Sequence, residues 1–107
     1  MVNIVNLHTV DVQKWLKDPK NVYIGRETRH TSESRWKNPH IIDHSDPDSR
    51  NKVIRQYEED LSENSSLRDS AHDLKDKILG CWCAPLRCHG EILHRMAGNN
   101  PVYQPAT

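Results

Sequence analysis

Lys77-Ile78-Leu79-Gly80-Cys81-Trp82-Cys83-Ala84-Pro85-Leu86-Arg87-Cys88-His89-Gly90-Glu91-Ile92-Leu93-His94-Arg95-Met96-Ala97 decides the fold of this 107-residue chain. Lys77-Ile78-Leu79 reads as a short buried strand, and Glu91 to Ala97 as one or two helical turns with an apolar stripe at 92, 93 and 96. All three cysteines of the chain fall between the two, with His89 beside the last one. A strand-to-helix turn of this kind belongs to open α/β folds, where ligands collect beyond the carboxyl ends of strands and at helix N-termini.

The same alternation of strand and helix extends towards the N-terminus. Residues 2–6 alternate loosely and form a first strand; Asp11 caps a short helix over 12–17 that Pro19 ends. Asn21-Val22-Tyr23-Ile24-Gly25-Arg26 is a β-branched and aromatic run closed by glycine, with Arg26 at its carboxyl end. Residues 27–49 lack periodicity and read as a long loop containing Trp36-Lys37-Asn38-Pro39 and a short strand at Ile41-Ile42. Loops of that length in a small domain are functional or disordered. Val53, Ile54, Tyr57 and Leu61 mark the buried face of a helix near 50–62, and Leu67, Ala71 and Leu74 that of another near 66–76.

Strands at 2–6, 22–25 and 78–82, separated by helices, favour parallel pairing. The expected fold is therefore α/β: one small Rossmann-like domain over 1–98, its mostly parallel sheet flanked by helices. Residues 99–107, with two prolines, form an extended or disordered tail.

Fifteen basic and fifteen acidic residues cancel, so no global field holds nucleic acid to the surface. The hydrophobic fraction is 35 % and Phe is absent, which makes the core thin and admits a homo-oligomer as its completion. No apolar run is long enough to span a membrane, and the first residues lack the regions of a signal peptide, so a cytoplasmic protein without a membrane partner is expected. An odd cysteine count argues against a secreted disulfide framework.

The order Val22-Tyr23-Ile24-Gly25-Arg26, then Trp36-x-Asn38-Pro39, then an amphipathic helix, then Leu79-Gly80-Cys81-Trp82-Cys83-Ala84-Pro85-Leu86-x-Cys88-His89-Gly90 resembles a family of small bacterial and phage proteins, the domain of unknown function 4326. The resemblance covers about residues 22–97, with Lys37 and His40 standing where a glycine and an aromatic are usual. It implies a small α/β domain with a site at the Cys-His turn, in a bacterial cytoplasm or, for a phage protein, that of its host. It implies no reaction.

Three readings of the cysteine turn stay open. Cys81, Cys83, Cys88 and His89 are zinc-type ligands, but their spacing of i, i+2, i+7 and i+8 is unlike that of paired zinc knuckles, so no metal ligand is assigned and zinc is the one cofactor the donors would suit. Cys88 at a helix start is a candidate nucleophile, its thiolate favoured by the helix dipole and by His89 as acid or base. Alternatively all three cysteines are packed as small hydrophobes. Around the turn, Gly90 permits close approach of an anion, Cys83 could face a ligand, and Arg26 could fork a phosphate or carboxylate or else bridge to an acid. Trp36 and Asn38 could stack and read a base, or pin the loop to the core.

Two functions follow. The first is an enzyme or binder acting on a nucleotide, nucleoside or nucleic-acid base, with Cys88 and His89 at the reacting centre and Arg26, Trp36, Asn38, Cys83 and Gly90 holding the ligand. The second is a non-enzymatic phage–host interaction protein that contacts a host protein or sequesters a small signal, its cysteine turn being structural or metal-binding.

Overall fold

A computed structural model describes residues 1–106. Strand β3 (Ile78–Cys81) lies at the centre of a three-stranded, all-parallel sheet, between β1 (Ile4–Asn6) and β2 (Asn21–Tyr23). Leu79 is level with Ile4 on one side and Val22 on the other. The fold is the small α/β arrangement that the alternation of elements predicts.

Successive side chains of a strand point to opposite faces. Leu79 and Cys81 join the main core with Ile54, Tyr57, Leu61, Ile92 and Leu93. These come from α2 (Ser49–Glu63) and α4 (Gly90–Ala97), which cover one face of the sheet. Gly80 looks the other way, where a Cβ would come within 2.4 Å of the Trp15 ring and 3.0 Å of Leu7. Trp15 belongs to α1 (Val12–Leu16), whose first turn is capped by the Asp11 carboxylate accepting the Lys14 N–H at 3.2 Å. Glycine at 80 thus lets the short helix carry its indole directly onto the central strand.

The helix expected near 66–76 divides into α3 (Ser65–Ser70) and a tighter 3-10 turn over Ala71–Leu74. Asn64 caps it by accepting the Leu67 N–H at 3.1 Å. Asp76, at φ 62°, then takes the left-handed conformation that asparagine and aspartate tolerate and redirects the chain into β3.

Two expectations are corrected. Residues 27–48 contain no strand; the segment is held by turns, and Ile41 is 73 % exposed rather than paired. The apolar stripe at 92, 93 and 96 leaves His94 off the buried face, yet His94 is fully buried. Its Nε2 donates to the Asn3 carbonyl at 2.8 Å while its Nδ1 accepts from the Asn99 amide at 3.0 Å. Helix α4 packs against the 3-10 turn and α2, and His94 reaches Asn3 just before β1, so its buried face is wider than the stripe at 92, 93 and 96 suggests.

The C-terminal residues run along the free side of β1. Asn3 and Ile4 donate to the Val102 carbonyl at 2.9 and 3.1 Å, and Gln104 donates to the Ile4 carbonyl at 2.8 Å. Tyr103 makes a parallel bridge with Ile4 and turns its hydroxyl towards the start of α4.

Candidate functional site

Beyond the carboxyl ends of β2 and β3 lies a cleft of about 370 Å³. Four segments wall it: Tyr23 to Thr28 after β2, the loop 38–44, the first turns of α2, and the cysteine turn. Among the described residues three arginines line it (Arg26, Arg50 and Arg87), and no Asp or Glu does.

Of the residues singled out from the sequence, the cleft brings together Arg26, Asn38, Cys83, Cys88 and His89. Trp36 and Gly90 lie outside it. The Trp36 indole is buried in the core, with Arg35 stacked 4.9 Å from its ring centre and the Tyr57 hydroxyl donating to its carbonyl at 2.9 Å. It pins the loop. Gly90 is a packing glycine: a Cβ there would meet Ile24 at 2.9 Å.

Asn38 reaches the cleft with its amide already engaged. Its Nδ2 donates to the Val53 carbonyl at 3.0 Å and its Oδ1 accepts the His40 N–H at 3.0 Å, so it clamps the loop to α2. Among the described residues Arg26 forms no salt bridge to an acid. Its Nε and Nη2 donate to the Asn38 carbonyl at 3.2 and 3.0 Å, and Nη2 also donates to the His40 carbonyl at 3.0 Å. The guanidinium thereby shapes the loop and keeps Nη1 free of these bonds.

Cys88 and His89 do not form a nucleophile–base pair. His89 points away from the sulfur, donating from Nε2 to the Ile24 carbonyl at 2.9 Å with its ring edge-on to Tyr57 at 4.7 Å. Burial holds its pKa down to about 4 against the pull of the Ile24 and Trp36 carbonyls, so the ring is neutral at pH 7. Adjacent residues entering a helix diverge, and here one goes to the core and the other to the sulfur cluster.

Cys88 Sγ lies 3.5 Å from Cys81 Sγ and accepts the Gly90 N–H at 3.4 Å. Contact with Cys83 favours the Cys81 thiolate, but contact with Cys88 together with burial outweighs it and pushes the Cys81 thiol up to about 11. Contact with Cys81, then burial, raises the pKa of Cys83 despite the nearby Arg50 guanidinium. All three cysteines are free thiols. Among the described residues no three His, Cys, Asp or Glu side chains converge as a metal would require.

Sequence reasoning missed Glu91, the most heavily bonded side chain near the turn. It sits in the first turn of α4, and its side chain is only 4 % exposed. Arg87 grips it through both oxygens at 2.9 and 3.0 Å, Arg95 adds 3.0 Å, and the Tyr103 hydroxyl reaches Oε1 at 2.9 Å. Burial opposes its charge, but the Arg87 and Tyr103 bonds prevail and hold its pKa below the usual carboxylate value. The spacing Arg87-x-x-x-Glu91 was the available signal. Arg50 and the aromatic pair Tyr23–Trp82, joined by the indole N–H donating to the phenol at 2.9 Å, were missed as well. Their approach depends on tertiary packing.

A family model for a domain of unknown function, DUF4326, matches residues 6–99. The chain belongs to this family. No curated protein and no solved structure matches it. The matched span takes in β2, β3 and the last residue of β1, all four helices and every wall of the cleft, so the DUF4326 domain and the folded unit share one core. Among the described residues no helix is long and apolar enough to cross a membrane.

Proposed function

We propose that this DUF4326 protein binds a nucleotide-type ligand, a phosphorylated nucleoside or base, in the cleft beyond β2 and β3. The observation that carries the reading is the state of Arg50. It lines the cleft, donates from Nη1 to the Arg87 carbonyl at 2.9 Å and lies beside the Cys83 thiol, so most of a five-donor fork stays uncommitted in a cleft that no Asp or Glu lines among the described residues. Arg87 is committed to Glu91 and Asn51, whereas Arg26 keeps Nη1 for the ligand. Tyr23 and Trp82, their rings edge to face at 75°, both line the cleft and offer aromatic surface for a base. A cavity of about 370 Å³ falls within the ordinary size of a small-molecule site. With Cys88 and His89 unpaired, the site is read as one of binding.

The test is a titration of isotope-labelled protein with the four ribonucleoside monophosphates and with inorganic phosphate. Shifts are expected at the Trp82 indole N–H, Gly25 and Arg50. Arg50→Ala removes charge-assisted bonds worth about 1.5–3 kcal/mol, so affinity should fall at least about tenfold with the circular dichroism unchanged. Absence of cleft shifts with every nucleotide, or undiminished binding by Arg50→Ala, would overturn the reading.

A further inference from the structure

The cysteine turn holds a feature that ligand binding does not use. Two thiols from either end of the turn, Cys81 on the rigid central strand and Cys88 just before α4, meet at 3.5 Å between sulfurs. A disulfide needs about 2.05 Å, so the sulfurs must approach by roughly 1.5 Å, which side-chain rotation and a small adjustment of an irregular segment can supply. Residues 84–89 form that irregular segment. Both sulfur-bearing residues line the cleft, which gives a small oxidant a route to side chains otherwise buried.

We infer that Cys81 and Cys88 are a redox modification site: a dithiol that a hydroperoxide converts to an intramolecular disulfide and a small thiol reduces again. The inference is independent of what the cleft binds. The two thiols are not equivalent. Cys88 sits at the end of the irregular segment and can move towards the oxidant, whereas Cys81 is fixed on the central strand. Cys88 is therefore the sulfur that meets the peroxide first and Cys81 the resolving one.

In the first step the Cys88 thiolate attacks the peroxide: a sulfur–oxygen bond forms, the oxygen–oxygen bond breaks, and hydroxide leaves to be protonated as water. In the second the Cys81 sulfur attacks the sulfenic sulfur: the sulfur–sulfur bond forms, the sulfur–oxygen bond breaks, and a second water departs with the Cys81 proton. Two electrons pass from the thiol pair to one peroxide. Cys83, half-buried beside Cys81, is the rival partner.

The experiment treats the reduced, folded chain with hydrogen peroxide, traps the remaining thiols with an alkylating agent and digests it with trypsin. Cleavage after Lys77, Arg87 and Arg95 puts Cys81 and Cys83 in peptide 78–87 and Cys88 in peptide 88–95. A Cys81–Cys88 bond joins the two peptides, and a Cys81–Cys83 bond does not. The expected result is the joined pair in the wild type and at the same rate in Cys83→Ser, reversed by dithiothreitol, with native circular dichroism before and after. Unlinked peptides with Cys88 alkylated or over-oxidised, a link lost in Cys83→Ser, or links only between molecules would each overturn the inference.

Discussion

His89 gives the fold a pH dependence that can be worked out from its surroundings. Its ring is 8 % exposed, lies against Tyr57 and donates to the Ile24 carbonyl, and burial lowers its pKa to about 4. In the unfolded chain it titrates near its ordinary 6.5. The folded value is the lower one, so as pH falls the unfolded state takes up the proton first. Stability from this group is whole above about pH 6.5 and is lost as pH descends towards 4. Integrating the two titrations gives a loss of about 2 kcal/mol between pH 7 and 5, and about 3 kcal/mol by pH 4. A small domain has only about 5–15 kcal/mol to lose.

The assay is urea unfolding followed by tryptophan fluorescence at a series of pH values, on the wild type and on His89→Gln. Glutamine can place an amide nitrogen near the Ile24 carbonyl but does not titrate. The variant should be less stable than the wild type at pH 7 and should converge on it as pH falls to 5. Buried His94, whose pKa burial also lowers, adds a slope of the same sign to both proteins and cancels in the comparison. Parallel curves, or an imidazole resonance of His89 titrating at its ordinary value in the folded protein, would refute the reasoning.

Three further outcomes are expected. Glu91→Gln should cost about 1.5–3 kcal/mol, the scale of charge-assisted bonds whose arginine partners can still turn to water, and should remove the part of the acid sensitivity that sets in below about pH 4.5; urea midpoints check both. Tyr103→Phe leaves the Cys88 N–H without its 2.9 Å acceptor, so a loss of about 1–3 kcal/mol and faster hydrogen exchange at that amide should appear together. Gly80→Ala forces the Trp15 ring off the sheet at a cost of about 1–3 kcal/mol, and much less in a Trp15→Ala background, a coupling that a double-mutant cycle reads directly.

The elements themselves were readable because their signals are local. Apolar spacing at Val53, Ile54, Tyr57 and Leu61, the cap at Asp11, and the β-branched run ended by Gly25 all act within a few residues, and the structure places helices and a strand where they point. The errors came where burial is decided by a second element. His94 looks polar and surface-bound on α4 alone; the 3-10 turn packs against the helix, and Asn3 just before β1 and Asn99 just after α4 supply its partners. Ile41 carries a strand-like side chain but has no neighbouring strand to pair with, so it ends exposed in the loop.

The site shows the same division in chemical form. Residue types that suggest reactivity when read in a row were largely spent on construction: Arg26 on two loop carbonyls, Asn38 on α2, His89 on β2's continuation, and Arg87 on Glu91. A polar group that must be buried in a thin core finds an internal partner first, because an unpaired one costs more than the bond returns; no buried side-chain nitrogen or oxygen among the described residues lacks one. Chemistry is left to groups whose donors outnumber their internal partners, and in the cleft those are Arg50, bonded to the Arg87 carbonyl, and the Nη1 of Arg26. Arg50 comes from the first turn of a helix, more than thirty residues from the cysteines it faces, with no motif around it. Subtracting the satisfied donors is therefore what moves the centre of the site from the Cys88-His89 pair to the space between Arg50, Arg26 and the Tyr23–Trp82 wall.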